Sequence, residues 1–247
     1  YAAQENSLFL GGQLMPIVAA PNGVAHFPVL GETDADKIST ETNDDIDAEL
    51  ASVAKNPVTC DLYASRSVVR DLGNIDTAEI GRVLGNAVAK KFDQAVMDEL
   101  DNATASTTDA FPMTLNSVFD GVQQIRDNGE MGQLFGILNP QAGMELMKAL
   151  TDSNNGVMGG DFQTEALRNG FVGTLAGVQF FMSAYVDTAN TSGYIFGTDA
   201  ARIAMQRNVD IEVGRRPAAV GVDVVASLMA APKLIDANRA VKLINVA

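Results

Sequence analysis

Between residues 77 and 100 apolar side chains recur at helical spacing without interruption: Ile80, Val83, Leu84, Ala87, Val88, Phe92, Ala95, Val96 and Leu100. The pattern predicts one helix of roughly 36 Å at about 1.5 Å per residue, longer than a compact small domain usually needs. Any fold of this chain has to be arranged around that rod. Asp76 is placed to accept from the first-turn amides with Glu79 three residues on, a capping-box arrangement in which Asp replaces Ser or Thr. Gly81 and Gly85 each cost about 1 kcal/mol relative to Ala, and they fall four apart on one side, where another backbone could approach.

The flanks read as strands and shorter helices. Residues 14–20 and 24–30 are apolar runs around Pro21-Asn22-Gly23, and Asn-Gly predicts a hairpin. Pro28 removes a ladder donor, so its strand should lie at an edge or end early. Residues 58–64 alternate, with Val58, Cys60, Leu62 and Ala64 on one face, as in a half-buried strand pairing back across the intervening loop. After the long helix, the Thr/Ser/Asp-rich stretch 102–110 reads as a connector, the easiest place for a domain boundary. Beyond it the pattern predicts a helix over 115–126, a buried strand over 134–138 and a helix begun by Asn139-Pro140 and running to about 150. A Gly- and Asn-rich loop covers 152–161. Strands are expected over 177–186 and 193–196, a short helix over 199–205, and strands over 209–213 and 220–229.

Charge is unevenly spread. The chain carries 17 Lys plus Arg against 31 Asp plus Glu, a formal net charge of −14. Residues 31–50 hold eight acids against one base, Lys37, so half of that net charge sits in a run too polar to be core. Residues 201–247 hold seven bases (Arg202, Arg207, Arg215, Arg216, Lys233, Arg239 and Lys242) against four acids. An acidic arm and a basic region on one chain can meet head to tail between subunits and close rings. Ordinary surface charge, worth about 0 to 1 kcal/mol per exposed pair, is the competing reading. An overall acidic chain repels phosphate backbones, so direct nucleic-acid binding would need a segregated basic patch, whereas a protein that merely encloses nucleic acid needs none. The same acidity makes it a poor partner for anionic membranes. The uncharged stretches 6–31 and 169–186 are broken by Pro or Gly and do not read as spans.

Catalytic machinery is sparse. His26 is the single histidine and cannot make a two-His metal site; it lies beside Phe27 in an expected strand and has no identifiable orienting partner. Cys60, the single cysteine, excludes an internal disulfide and reads as a small buried hydrophobe. Ser52-Val53-Ala54-Lys55 matches S-x-x-K, but the companion S-D-N and K-T-G motifs are missing. The acids at 44–49 lack the Gly and Glu positions of a calcium loop. No metal or cofactor is expected.

Taken in order, these pieces resemble the major capsid proteins of tailed bacteriophages, a fold shared with encapsulin shells. The resemblance rests on the apolar start, the extended loop at 31–50, the approach Ser65-Arg66-Ser67-Val68-Val69-Arg70-Asp71, and the long helix with Ile80-Gly81-Arg82-Val83-Leu84-Gly85 and Ala89-Lys90-Lys91-Phe92-Asp93. It continues in Phe135-Gly136-Ile137-Leu138-Asn139-Pro140 and in Gly173-Thr174-Leu175-Ala176-Gly177-Val178, which is similar to a G-x-L-x-G-x-P-V segment with Gln179 where Pro is commoner. The resemblance implies an α+β fold divided into an N-terminal arm (1–23), an extended loop hairpin (24–66), a peripheral domain with a spine helix (67–110), an axial α/β domain (111–205) and return strands of the peripheral domain (206–247). It also implies a non-enzymatic structural protein whose hexamers and pentamers close into an icosahedral shell around double-stranded DNA. The virion would be its location, the host cytoplasm its place of assembly, and portal, scaffold and decoration proteins its further partners.

On that reading Asp34, Asp36, Lys37, Glu41, Asp44 and Asp45 of the arm meet a neighbour, with Arg215 and Arg216 as the partner charges. Some relatives crosslink a loop lysine to a neighbour's asparagine; Lys37 is the arm's one lysine, and no flanking feature singles it out for that bond. Two alternatives are an encapsulin-like compartment of the same fold and a soluble α+β enzyme.

Overall fold

The computed structural model describes residues 7–30, 53–70, 77–110, 113–151, 173–186, 191–217 and 220–246. Its axis is α1 (Thr77–Leu100), whose buried face carries Leu84, Val88, Ala89, Phe92, Val96, Met97 and Leu100. The helix and its extent match the periodicity that predicts it. In its first turn the Glu79 carboxylate accepts from Arg82 Nε at 3.0 Å, and Asp76, the expected cap, lies outside the described residues. Gly81 is used differently from expectation, because a Cβ there would lie 3.4 Å from Ile211 Cδ1 and so faces a side chain, not a backbone.

Two sheets share the helix. The first, in the order β1 (Ile17–Ala19), β10 (Ala201–Arg216), β11 (Gly221–Leu234), β4 (Asp61–Arg70), is antiparallel apart from the short parallel pairing of β1 with Ile203, Ala204 and Met205. Val224, Ala226 and Leu228 of β11 enter one core with the buried face of α1, and the Tyr63 ring of β4 meets Phe92 edge-on at 5.8 Å. The second sheet has six strands in the order β5 (Ala105–Ala110), β12 (Ala240–Val246), β9 (Thr191–Gly197), β6 (Leu134–Leu138), β8 (Val178–Met182), β7 (Thr174–Leu175). Helices α2 (Leu115–Asp127) and α3 (Pro140–Thr151) cover one face of it through Val118, Ile125, Ala142 and Leu146. Thr114 caps α2, and Asn139 caps α3 by accepting from Ala142 N at 2.6 Å. A separate antiparallel ladder joins β2 (Val24–Leu30) to β3 (Val53–Thr59), rooted by Ala25, Phe27 and Val58 against Ala204 and Ala231.

Several expectations are corrected. The Pro21-Asn22-Gly23 turn forms, with Gly23 at φ +75° and its N–H on Ala20 O, but the strands leaving it do not pair with each other. β1 goes to β10 and β2 to β3, because a turn motif directs the chain without choosing its ladder partner. The alternation over 58–64 is broken at Cys60, whose N–H turns to Gly23 O at 2.8 Å. The break reverses the phase, so Leu62 is 58% exposed while Tyr63 points into the core. Residues 199–205, expected as a short helix, begin β10, and the connector over 102–110 contains β5. β12, expected with the other return strands of 206–247, pairs instead with β5 and β9 of the six-stranded sheet, where Val241 and Leu243 are buried.

The end of α1 couples the two sheets. Its last turn has no base to complement the helix dipole. Cations come from elsewhere: Lys233 Nζ of β11 reaches Glu99 at 2.8 Å, Lys242 of β12 pairs with Asp101, and Tyr194 of β9 donates to Asp101 at 3.0 Å.

Candidate assembly interface

Beyond Ala204 and Ala231, where the β2–β3 ladder packs, the four-stranded sheet has a face that no helix or strand among the described residues covers. Strand alternation sends Val224, Ala226 and Leu228 towards α1, so the intervening residues look outward. The register places them in cross-strand rows: Arg70, Gly221 and Arg216; then Val68, Asp223 and Gly214; then Arg66, Val225 and Glu212; then Ala64, Ser227 and Asp210. Arg66, Val68 and Arg70 are exposed, as are Glu212, Arg215 and Arg216. Arg66 Nε holds Asp223 at 2.8 and 3.0 Å, and that hydrogen bond, then the charges of Arg66 and Arg216, lowers the Asp223 carboxyl below its ordinary range. Asp223 therefore stays ionised in mildly acidic solution, and part of the positive charge here is already matched within the chain.

Arg215 and Arg216 do not form one patch. As neighbours on β10 they belong to opposite faces, Arg216 with Arg66 and Arg70, and Arg215 with Val213 and Ile211 on the α1 side. Arg66 and Arg70 were missed as site residues. Their period-two spacing is visible in the sequence, but the pairing that brings them beside Arg216 spans well over a hundred residues.

The edge of this sheet is also open. β1 covers only Ile203, Ala204 and Met205, so from Arg207 to Arg216 the outer edge of β10 carries no strand among the described residues. Ile211 and Val213 are 43% and 59% exposed along it. Unpaired edges of this length are templates for another chain. Asp34, Asp36, Lys37, Glu41, Asp44 and Asp45 lie outside the described residues; the β2–β3 ladder, seven residue pairs long, ends at Leu30 and Val53, the two points between which they are strung.

Among the described residues no group of three His, Cys, Asp or Glu could hold a metal ion. His26 is exposed on β2 opposite Pro57. Burial raises the Cys60 thiol, which leans on Ala204 O at 3.7 Å. No described helix is long and apolar enough to cross a membrane.

A lengthwise helix, one closed sheet, one half-bare sheet and a projecting ladder make a shape suited to contact with copies of itself. Comparison with known families decides the matter, since the phage capsid protein family matches residues 67–243. The chain belongs to the phage capsid protein family. It is a capsid shell protein, with the α+β fold of phage capsids. Among solved structures it is similar to the capsid of the cyanophage P-SCSP1u, at 15% identity and a TM-score of 0.74 over 94% of this chain and 86% of that one. It is similar to the capsid of a native GTA particle, at 11% identity and 0.75, covering 100% and 90%. A virus-like particle from Pyrococcus furiosus matches at 14% identity and 0.69, covering 98% and 94%. A search of curated protein sequences gives no match.

Proposed function

We propose that this capsid protein assembles as hexamers and pentamers that close into an icosahedral shell around double-stranded DNA, in the virion of a tailed phage and without any catalytic step. The observation that carries the reading is the unfinished four-stranded sheet: one face packed on α1, the other bare beyond the foot of the β2–β3 ladder, and one edge open beside that ladder. In the shell, the acidic residues of one copy's loop, with Asp34, Asp36, Lys37, Glu41, Asp44 and Asp45, lie over the face of a neighbour that bears Arg66, Arg70 and Arg216, with Arg215 at its rim. The boundaries proposed are an arm over 1–23, a loop over 24–66, a peripheral domain with the spine helix over 67–110, an axial domain over 111–205 and return strands over 206–247, with β5 and β12 pairing into the six-stranded sheet. Each contact is weak, and many made at once supply the avidity, over interfaces of about 1,000 Å² or more. The net charge of −14 lets packaged DNA move without adhering. Portal, scaffold and decoration proteins are its proposed further partners, and the host cytoplasm the place of assembly.

A second reading is favoured by the similarity to the Pyrococcus furiosus particle: an encapsulin-like shell enclosing a cargo protein. Size-exclusion chromatography with light scattering, followed by electron microscopy of the largest species, tests both. A chain that stays at 26.0 kDa under every assembly condition rejects them. Closed shells with nuclease-protected DNA support the first, and closed shells with a second polypeptide support the other.

A further inference from the structure

Asp93 stands at the middle of α1, 1% exposed, on the face that carries Ala89, Phe92, Val96 and Met97. One carboxylate oxygen accepts from Ser7 Oγ at 2.6 Å and the other from Leu8 N at 3.3 Å. Ser7 Oγ in turn accepts from the N–H groups of Phe9 and Leu10, at 3.3 and 3.2 Å. One buried carboxyl thus organises the first turn of the described chain. Behind that turn Phe9, Leu10, Leu14 and Met15 are buried in the same core as α1. The first strand pairing begins only at Ile17, so residues 7–15 are held by this polar point and by apolar contact.

Among the described residues no cation lies against Asp93. On its own helix Lys90 lies over the Tyr185 ring at 5.2 Å, Lys91 and Asp98 are exposed, and Glu99 is engaged by Lys233. From β4 the facing group is Tyr63, set against Phe92. β11 presents Val224, Ala226 and Leu228, β10 presents Met205 and Val209, and residues 7–15 bring no charged side chain. A buried carboxylate without a cation is costly, and release into water removes that cost.

We propose that the Ser7–Asp93 contact is a proton-controlled latch, which holds residues 7–15 on α1 while the carboxyl is neutral and loosens them once it ionises. Burial, opposed by the hydrogen bonds from Ser7, Leu8 and Phe9, pushes the Asp93 pKa up to about 6 from 3.8. The sign follows. A group that binds its proton more tightly when docked favours docking most below about pH 4, and this support is lost as pH rises through 6. If release restores full hydration, docking weakens by up to about 100-fold between those limits. The latch operates in the single chain, so it stands or falls independently of shell formation.

Hydrogen exchange of the full-length unassembled chain, followed by mass spectrometry from pH 5 to 8, tests it. Protection factors over residues 8–15 should fall by about ten-fold between pH 5 and pH 8. Asp93→Asn keeps the shape and loses the titration, and should hold the segment with no pH dependence. Ser7→Ala should lower protection at every pH and keep the slope. A level wild-type profile, or the wild-type slope persisting in Asp93→Asn, would overturn the latch; should that variant not fold, the wild-type and Ser7→Ala profiles decide it alone.

Discussion

The two sheets differ in what they leave undone. In the six-stranded sheet every residue of β6 and β9 is buried. Leu134, Leu138 and Ile195 go to the core under α2 and α3, and Phe135, Ile137, Tyr194 and Phe196 go to the core shared with α1. The four-stranded sheet buries one face on α1 and leaves the other, with Leu62 and Val68 at 58% and 39% exposure, to solvent. Buried apolar area stabilises by about 25 cal/mol per Å², so the six-stranded sheet is complete within one chain and the four-stranded sheet gains further by meeting another. The place to look for assembly is therefore the incomplete sheet, while stability belongs to the complete one.

Two glycines sharpen that contrast. A Cβ on Gly193 would overlap the carbonyl oxygen of Ile137, and one on Gly221 would overlap that of Val69. Gly193 is on β9, held between β6 and β12, and has no direction in which to yield. Gly221 lies at the tip of the β10–β11 hairpin opposite Arg70, the last residue of β4, where the ladder can fray. Gly193→Ala should cost about 3 kcal/mol or more, or abolish folding, and Gly221→Ala about 1 to 2 kcal/mol, by denaturant unfolding of the unassembled chain. Equal costs would mean that the open sheet is as tightly constrained as the closed one.

A smaller effect of opposite sign is expected at the same tip. Val220 adopts φ +46° and is 66% exposed, a left-handed conformation that a β-branched residue adopts only under strain. Val220→Gly should stabilise the unassembled chain by about 1 kcal/mol. If the unassembled chain gains nothing, the turn is not strained.

How much of this was readable beforehand follows the distance between partners in the chain. α1, α2, β6 and α3 are local objects, set by periodicity and by caps such as Asn139, and the sequence shows them within a residue or two. The Ala176-Gly177 pair, both at positive φ, makes a two-residue turn between β7 and β8, where the sequence pattern has a strand beginning at Gly177. Pairing was not readable, because Pro21-Asn22-Gly23 announces a turn and says nothing of β10. The outward arginine face was half visible. Arg216 stands out by charge, but Arg66 and Arg70 join it only through the β4–β11 register, and Cys60 shifts the phase that an unbroken strand would have kept. The Asp93 latch leaves no mark at all, since a lone Asp in a long helix looks like surface until Ser7 is folded onto it.

The smallest effect on the single chain should be the largest on the assembly. Replacing Arg66, Arg70 and Arg216 by Glu breaks the Arg66–Asp223 pair but removes no apolar contact; helix content should be kept and the unfolding midpoint should fall only slightly. Assembly should fail, with light scattering remaining at the size of the chain or a small oligomer. Replacing Asp34, Asp36, Glu41, Asp44 and Asp45 by Asn or Gln should also keep the fold. It should weaken assembly at low salt and flatten its salt dependence, since attraction between exposed charges is screened beyond about 10 Å at 0.1 M. The two sets should also be non-additive. Once the arm is neutral, reversing the arginines has no carboxylates to repel, so the combined variant should assemble better than the arginine reversal alone. Strictly additive losses would mean that the arm and the bare face do not meet, and would leave the open edge of β10 as the surface that recruits the next subunit.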